Sequence, residues 1–161
     1  MASALSVERI RSRIFAKSYD HDPGATTAKL ASPDGGTTPW VWDLRDYPEG
    51  FGAIVKPSIV GGNGITLVRL MAYTDSVATA DATEIKTSGA VQLDDLSTAG
   101  GDQVFLECTP EEVRQIGDAA GKALRYLAVE ITTSTATDEA VVTVVALPRF
   151  PRSGLSATQQ A

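Results

Sequence analysis

Cysteine and histidine are almost missing from this 161-residue chain, which has one of each, Cys108 and His21. A single cysteine excludes an internal disulfide framework and is compatible with a reducing cytoplasm. A single histidine has no second imidazole with which to bind a metal, so we expect His21 to be an ordinary surface residue in a polar turn. Cys108 precedes a predicted helix, where the helix dipole would favour a thiolate. Because such a nucleophile also needs a base, we expect a buried cysteine at a strand end, no enzyme and no cofactor.

Long apolar runs are missing too. The longest, Ala140 to Leu147, has eight residues and includes Thr143, whereas a membrane-spanning helix needs about 20. No apolar run follows the basic residues near the N-terminus, so we expect no secretory signal. The net charge of −6 argues against nucleic acid or an anionic membrane as partner of the main part of the chain.

Two motifs that would bring a ligand are incomplete. The loop Gly61-Gly62-Asn63-Gly64 is followed by a strand and by no Lys-Ser or Lys-Thr pair, so it is not a phosphate-binding loop. Several acids could offer oxygens to calcium, but the alternating Asp ligands and closing Glu of a calcium loop are absent, so we expect solvated turn acids and keep calcium as the lesser alternative. These acids are Asp75, Asp81, Glu84, Asp94 and Asp95.

Aromatic residues make up only 6% of the chain, and Ala, Thr, Gly and Val dominate, which favours sheets with small residues and many turns. Trp40 and Trp42 alternate and therefore share one face of a predicted strand. That face is either part of the core, which we favour, or an exposed platform that stacks on sugars.

Apolar runs flank the Asn-Gly of the glycine loop, and this pattern predicts a β-hairpin from Ile59 to Ile65. Its second arm, up to Tyr73, has apolar residues on both faces, as in a central strand. Ile65 and Leu67 are expected on one face, and Val68 and Leu70 on the other.

Further strands are predicted along the chain, with one short helix between them. Thr109 is the expected N-cap of the helix, Pro110 its first residue, Glu112 its capping-box partner and Gly121 its end. Its expected apolar stripe consists of Val113, Ile116, Gly117 and Ala120. A second hairpin loop is expected at residues 135–139. The predicted strands cover 40–44, 52–55, 65–73, 83–86, 103–107, 126–131 and 141–147, the last reading as an almost continuously buried strand.

Seven or eight short strands and one inserted helix predict a mainly β protein, a β-sandwich of jelly-roll or immunoglobulin-like type, with a barrel as the main rival. Twenty residues of weak pattern precede Trp40, which is unusual inside a compact domain. We therefore predict an N-terminal arm and extended loop at residues 1–39, a sandwich domain at 40–148 and a C-terminal tail at 149–161.

Acidic residues are absent after Glu139, and this makes the charge uneven along the chain. Residues 18–148 contain 19 acids and 8 bases, whereas residues 1–17 contain four bases and the single acid Glu8, and the tail adds Arg149 and Arg152. Basic ends on an acidic domain are more suited to bind an acidic surface than to fold onto their own domain.

The chain resembles the decoration, or cement, proteins of tailed-bacteriophage capsids. The resemblance rests on the acidic sandwich, the basic arms, the expected hairpin at 59–65, the strand 65–73 and the closing strands 126–131 and 141–147. The resemblance implies a virion protein on the capsid exterior, made in the host cytoplasm, that binds the lattice of the major capsid protein. It also implies a homo-oligomer, often a trimer, whose arms reach across neighbouring subunits and stabilise the expanded shell.

The predicted function is thus that of a structural virion protein that binds the outer capsid surface and stabilises the shell. A carbohydrate-binding β-sandwich using Trp40, Trp42 or Tyr73 as stacking platforms, and another small neck or tail protein, are the alternatives. From the residues themselves, we expect the two ends to bind the partner through Arg9, Ile10, Arg11, Arg13, Ile14, Phe15, Arg149, Phe150 and Arg152.

Overall fold

The structure is a computed structural model, and it describes residues 15–21, 26–32, 38–60, 64–91, 93, 103–135 and 140–148. Its strands are β1 (Phe15–His21), β2 (Ala28–Leu30), β3 (Trp42–Asp43), β4 (Phe51–Val60), β5 (Ile65–Tyr73), β6 (Thr83–Thr87), β7 (Val104–Cys108), β8 (Tyr126–Thr133) and β9 (Ala140–Pro148). A 3-10 turn (Leu44–Asp46) follows β3, and the helix α1 (Pro110–Ala120) lies between β7 and β8.

The strands form two antiparallel sheets. Sheet 1 has the order β1-β9-β4-β7, and sheet 2 has the order β2-β8-β5-β6, with β3 also paired to β8. The short strands β2 and β3 pair with successive parts of β8, at Thr132–Glu130 and at Leu127–Tyr126. The fold is therefore a β-sandwich, as the sequence predicts, and not a barrel.

The pairing order identifies the sandwich as a jelly roll. Taken from the chain ends inward, β1 pairs with β9, β2 and β3 with β8, β4 with β7, and β5 with β6. Such nesting is that of one long hairpin rolled up into two sheets. The immunoglobulin-like alternative is thereby excluded.

The core lies between the two sheets. Sheet 2 contributes Val68, Leu70, Leu127, Val129 and Ile131, and sheet 1 contributes Ala53, Val55, Leu106, Val142 and Val144, all buried. A second, smaller cluster lies on the outer face of sheet 2, where Met71, Tyr73 and Ala128 pack with Ala78 of the loop at residues 74–82. Sheet 2 is thus covered on its outer face around Met71 and Tyr73.

The helix forms as its sequence predicts. The Thr109 hydroxyl accepts from the Glu112 backbone N–H at 3.1 Å, and the Glu112 carboxylate accepts from the Thr109 N–H at 2.8 Å, which completes the capping box. Gly121 ends the helix with a φ of 67°. Val113 and Gly117 are buried and Ile116 packs against the core, but Ala120 is exposed.

Both predicted hairpins are wrong, for the same reason. β4 pairs with β9 and β7, and β5 pairs with β8 and β6, so the glycine-rich segment joins strands of different sheets. β8 and β9 likewise belong to different sheets. The apolar runs beside each loop fit a turn between sheets as well as a turn within one, because both arms are buried in either case.

The faces of β5 also differ from the prediction. A register shift between Ile65 and Leu67 changes the alternation, so Ile65, Val68, Leu70 and Ala72 all lie in the core cluster. A bulge of this kind adds one residue to one strand and moves the following side chains to the other face. The strand is central in sheet 2, between β8 and β6, as predicted.

The sandwich extends N-terminal to the predicted boundary at residue 40. β1 is an edge strand of sheet 1, and β2 pairs with β8 in sheet 2. These strands are short, and only pairing partners at least 100 residues further along the chain give them their place in the two sheets.

Candidate interaction surface

Both ends of the described chain lie at the same end of sheet 1. Phe15 pairs with Ala146, and β9 ends two residues later at Pro148, which is opposite Phe51 of β4. The Cα atoms of Phe15 and Pro148 are therefore roughly 8 Å apart, given the spacing of antiparallel strands. Residues 1–14 and 149–161 attach side by side at this point, which we call the terminal end of the sandwich.

Eight of the nine predicted partner-binding residues lie outside the described residues: Arg9, Ile10, Arg11, Arg13, Ile14, Arg149, Phe150 and Arg152. The ninth, Phe15, is the first residue of β1. The structure thus gives the points where both basic segments begin. Arg13 is two residues before β1, and Arg149 is the residue directly after β9.

A cavity of about 570 Å³ lies at the same end. It is bounded by the residues before β4, the first residue of α1 and the segment before β8. Its lining is apolar apart from two guanidinium groups: Leu44, Arg45, Pro48, Pro110, Ala123, Leu124 and Arg125.

Asp43 holds both of these guanidinium groups. Its carboxylate lies 2.7 Å from Arg45 Nη2 and 2.5 Å from Arg125 Nη2. The hydrogen bonds to Asp43 are the main cause that raises the pKa of Arg125. Arg125 also lies over the ring of Tyr126, 4.7 Å from its centroid. The sequence shows Asp43 and Arg45 as near neighbours, but Arg125 is 82 residues away from Asp43, so only the fold reveals the cluster.

His21 is not the surface residue that the sequence predicts. It is the last residue of β1 and only 1% exposed, and its Nδ1 lies 2.9 Å from the hydroxyl oxygen of Tyr19. The strand continues to residue 21, so the alternation that turns Tyr19 towards the core also turns His21 inward. Burial raises the pKa of Tyr19.

Cys108 is buried at the end of β7, as predicted. It is opposite Phe51, which is opposite Pro148, whereas His21 is opposite Ala140 at the other end of β9. The two residues therefore lie at opposite corners of sheet 1, roughly 30 Å apart by strand spacing and rise. They do not form a Cys–His pair.

The candidate sugar platforms are buried or half-buried. Trp42 is 8% exposed and Tyr73 is 4% exposed. Trp40 is half-buried and packs edge-on against Tyr19, with ring centroids 4.9 Å apart. Trp42 lies against Phe51 at 5.3 Å. The two tryptophans therefore belong to the core and its margin, the favoured alternative, and neither Trp42 nor Tyr73 presents a face on which a sugar ring could stack.

The candidate calcium acids that the structure describes form hydrogen bonds or ion pairs with other residues of the chain. Asp75 accepts hydrogen bonds from the Thr79 hydroxyl at 2.6 Å and from the Ala80 N–H at 3.0 Å, and these bonds, the first above all, lower its pKa. Asp81 accepts from the Thr74 hydroxyl, and Glu84 lies 3.6 Å from Arg69. Across the described ranges, no group of three or more His, Cys, Asp or Glu side chains is arranged to hold a metal.

No helix in the described part of the chain is long and apolar enough to cross a membrane. Asp94 and Asp95, the remaining candidate acids, lie outside the described residues.

No family model and no curated protein matches the chain. Solved structures with a similar fold include the CBM22-1–GH10 modules of Clostridium thermocellum xylanase 10B, complexed with xylohexaose (17% identity, TM-score 0.32, 67% of this chain and 17% of that one). Another is the BFDV capsid protein (15% identity, TM-score 0.37, 83% of this chain and 92% of that one). A third is infectious bursal disease virus VP2 (14% identity, TM-score 0.33, 84% of this chain and 33% of that one). The chain spans less than two thirds of the xylanase and VP2 chains. These similarities concern the general β fold and assign no function.

Proposed function

We propose that this chain is a structural virion protein that binds the outer surface of a capsid and stabilises the shell. One observation carries the proposal: the pairing of β1 with β9 attaches both basic terminal segments to the same end of a jelly roll. A partner surface that meets this end would meet both segments together.

Charge makes an acidic protein surface the fitting partner. The N-terminal segment contributes Arg9, Arg11 and Arg13 against Glu8, and the tail contributes Arg149 and Arg152 with no acid. Both segments are attached to a domain whose acids outnumber its bases, so the favourable field for an acidic surface is concentrated at the terminal end.

The proposed binding is multivalent. An exposed ion pair contributes up to about 1 kcal/mol, and an apolar anchor such as Ile10, Ile14 or Phe150 about 1.5–3 kcal/mol if fully buried. Two segments that leave the domain side by side raise each other's effective concentration at the partner surface. Phe15 is not counted as an arm anchor, because it belongs to β1.

The role that we propose for the jelly roll is that of a non-catalytic platform on the virion exterior, present in more than one copy. Sheet pairing fixes the positions from which the two segments leave, and copies on a repeating lattice multiply weak contacts into stable occupancy.

The proposal is tested by sedimenting capsids of the encoding virus, assembled without this protein, with purified protein added. Deletion of residues 1–14 leaves β1 complete, since β1 begins at Phe15. We expect this deletion, and the triple change of Arg9, Arg11 and Arg13 to Gln, to abolish co-sedimentation while the far-UV circular dichroism spectrum is retained.

The matched control changes the same three arginines to lysine, which keeps the charge and should keep most of the binding. Binding of the wild type should also weaken as salt is raised. Wild-type occupancy by the glutamine variant would overturn the proposal.

A further inference from the structure

The outer face of sheet 1 is more apolar than a solvated face should be. Phe105 of β7, Ile54 of β4 and Val145 of β9 stand opposite one another across three strands, and Leu147 follows on the same face of β9. Phe105 is 53% exposed, and the other three are partly exposed. The solvated face of an antiparallel sheet normally carries polar residues. Here Ser18, Thr143 and Lys56 do so at one side of the face, but the row from Phe105 to Val145 is apolar.

The sequence of β9 also indicates that the outer face of sheet 1 is covered. Its run from Val141 to Leu147 predicts a strand covered on both faces, and three of its four outward residues, Val141, Val145 and Leu147, are apolar. Sheet 2 has such a cover, formed by Ala78 and its neighbours over Met71 and Tyr73. Among the described residues, no helix, strand or loop packs an apolar cluster onto the outer face of sheet 1.

The side chain of Phe105 lies low on this face. The ring of Phe105 lies over Gly52, since a Cβ added to Gly52 would come within 3.0 Å of Cε2 of that ring. With no side chain beneath it, the ring lies against the sheet, and this position leaves room for another sheet to pack about 10 Å away.

We propose that this face binds the same face of a second copy of the chain. Lys56 lies two residues beyond Ile54 on one side of the apolar row, and Glu107 lies two residues beyond Phe105 on the other. If two copies pack face to face with their strands antiparallel, the two-fold axis brings Lys56 of each copy towards Glu107 of the other. The face is thus complementary to itself in both apolarity and charge.

The size of the face sets the strength of the contact. A four-stranded sheet with strands of this length measures roughly 20 Å by 30 Å, so two copies would bury on the order of 1,200 Å² in total. This is the lower end of the range for specific interfaces. We therefore expect a dimer that depends on concentration.

Sedimentation equilibrium of the full chain, from low micromolar to near-millimolar concentration, tests the proposal. We expect a monomer–dimer equilibrium whose dissociation constant rises at least about tenfold in Phe105→Ser. The matched control is Val77→Ser. Among the residues that the structure describes, Val77 is the other large apolar side chain that is exposed, 59% on the loop over sheet 2. This control should leave the equilibrium unchanged.

Charge reversal tests the antiparallel arrangement. Lys56→Glu should weaken the dimer, and adding Glu107→Lys in the same chain should restore it. Wild-type protein that stays monomeric, an oligomer with an odd number of copies, or a dimer unaffected by Phe105→Ser would overturn the proposal, and a double variant no better than Lys56→Glu would overturn the arrangement. Because the capsid proposal depends on residues 1–14 and 149–161 rather than on this face, the two proposals fail separately.

Discussion

Gly117 lies directly beneath the end of its own helix: a Cβ added to it would be 2.6 Å from the carbonyl oxygen of Lys122. The Lys122 N–H donates to the Gly117 carbonyl at 2.8 Å, and the Gly121 N–H donates to that of Asp118 at 3.2 Å, which is a Schellman ending. The chain therefore turns back over Gly117 before it enters β8.

This contact predicts that Gly117→Ala destabilises the protein. On an open helix surface the change would stabilise by about 1 kcal/mol, because alanine is the better helix former. Here the backbone must shift to admit the methyl group, and we expect a net loss of about 1–3 kcal/mol. Urea unfolding measures it. A gain in stability would show that the helix end does not pack on Gly117.

A control for this variant is Gly121→Ala. Gly121 has a φ of 67° and no atom within 4 Å of an added Cβ, so its cost of about 1–2 kcal/mol should come from the left-handed backbone alone.

The lowered pKa of Glu112 predicts that part of the folding stability is lost at acid pH. Its hydrogen bond to Lys86, at 2.9 Å, is the largest cause that lowers its pKa, followed by the bond from the Thr109 N–H. Because the folded pKa lies below the unfolded one, the stabilisation is complete above the ordinary glutamate pKa of about 4.3. It is lost as the pH falls through the folded pKa.

The measurement is the urea midpoint of wild type and Glu112→Gln as a function of pH. The wild type should be the more stable at neutral pH, and the difference should shrink below the ordinary pKa of glutamate. Lys86→Met removes the main cause of the lowered pKa of Glu112, so this variant should also show a weaker pH dependence of the urea midpoint. A difference that grows on acidification would contradict the assignment.

The burial of Trp42 predicts that its removal changes stability rather than ligand binding. Trp42 packs against Phe51, which also contacts Tyr47 at 5.0 Å between ring centroids. Trp42→Ala should therefore cost about 3–5 kcal/mol, the usual range for a large aromatic residue in a core. Trp40→Ala should cost less, because Trp40 is only half-buried.

Thermal unfolding followed by circular dichroism measures both variants, and a glycan array tests wild type and Trp40→Ala beside them. We expect no glycan signal from the wild type. A glycan signal that is lost in Trp40→Ala would support the carbohydrate-binding alternative, with Trp40 as the residue that binds the glycan.

The sequence of this chain predicts the features that depend on neighbouring residues, but not the pairing of strands that lie far apart along the chain. The cap residues Thr109, Glu112 and Gly121 act within one or two turns of a helix, so the sequence predicts where α1 begins and ends. The strand β5 was also predictable, because its apolar run is long. Which strand pairs with which was not, because a run such as 59–65 has the same composition in a hairpin and in a turn between sheets.

The same limit applies to the candidate surface. The basic composition of the two ends is visible in the sequence, whereas the proximity of the points where they are attached depends on the pairing of Phe15 with Ala146, 131 positions further along. The cluster around Asp43 and the apolar row at Phe105 likewise depend on the sheet register, which the sequence does not show. His21 was misplaced because Asp20, Asp22 and Pro23 resemble a turn, while the strand continues to residue 21.

The extent of the sandwich gives the last prediction. β1 forms an edge of sheet 1 along β9, and its Tyr19 is buried in the core cluster. A chain that begins at residue 40 would leave β9 unpaired along that edge and would open the core beside Trp40. A chain that begins at Phe15 would keep both sheets whole, since the described β structure starts there.

We therefore expect the chain of residues 15–148 to unfold cooperatively near the wild-type midpoint. The chain of residues 40–148 should aggregate or lack a cooperative transition, because an uncovered strand edge and an open core favour association over folding. Thermal melts and the dispersion of amide proton NMR signals compare the two. If the shorter chain were as stable as the longer one, β1 and β2 would be additions to the sandwich, and the boundary at residue 40 would be the correct one.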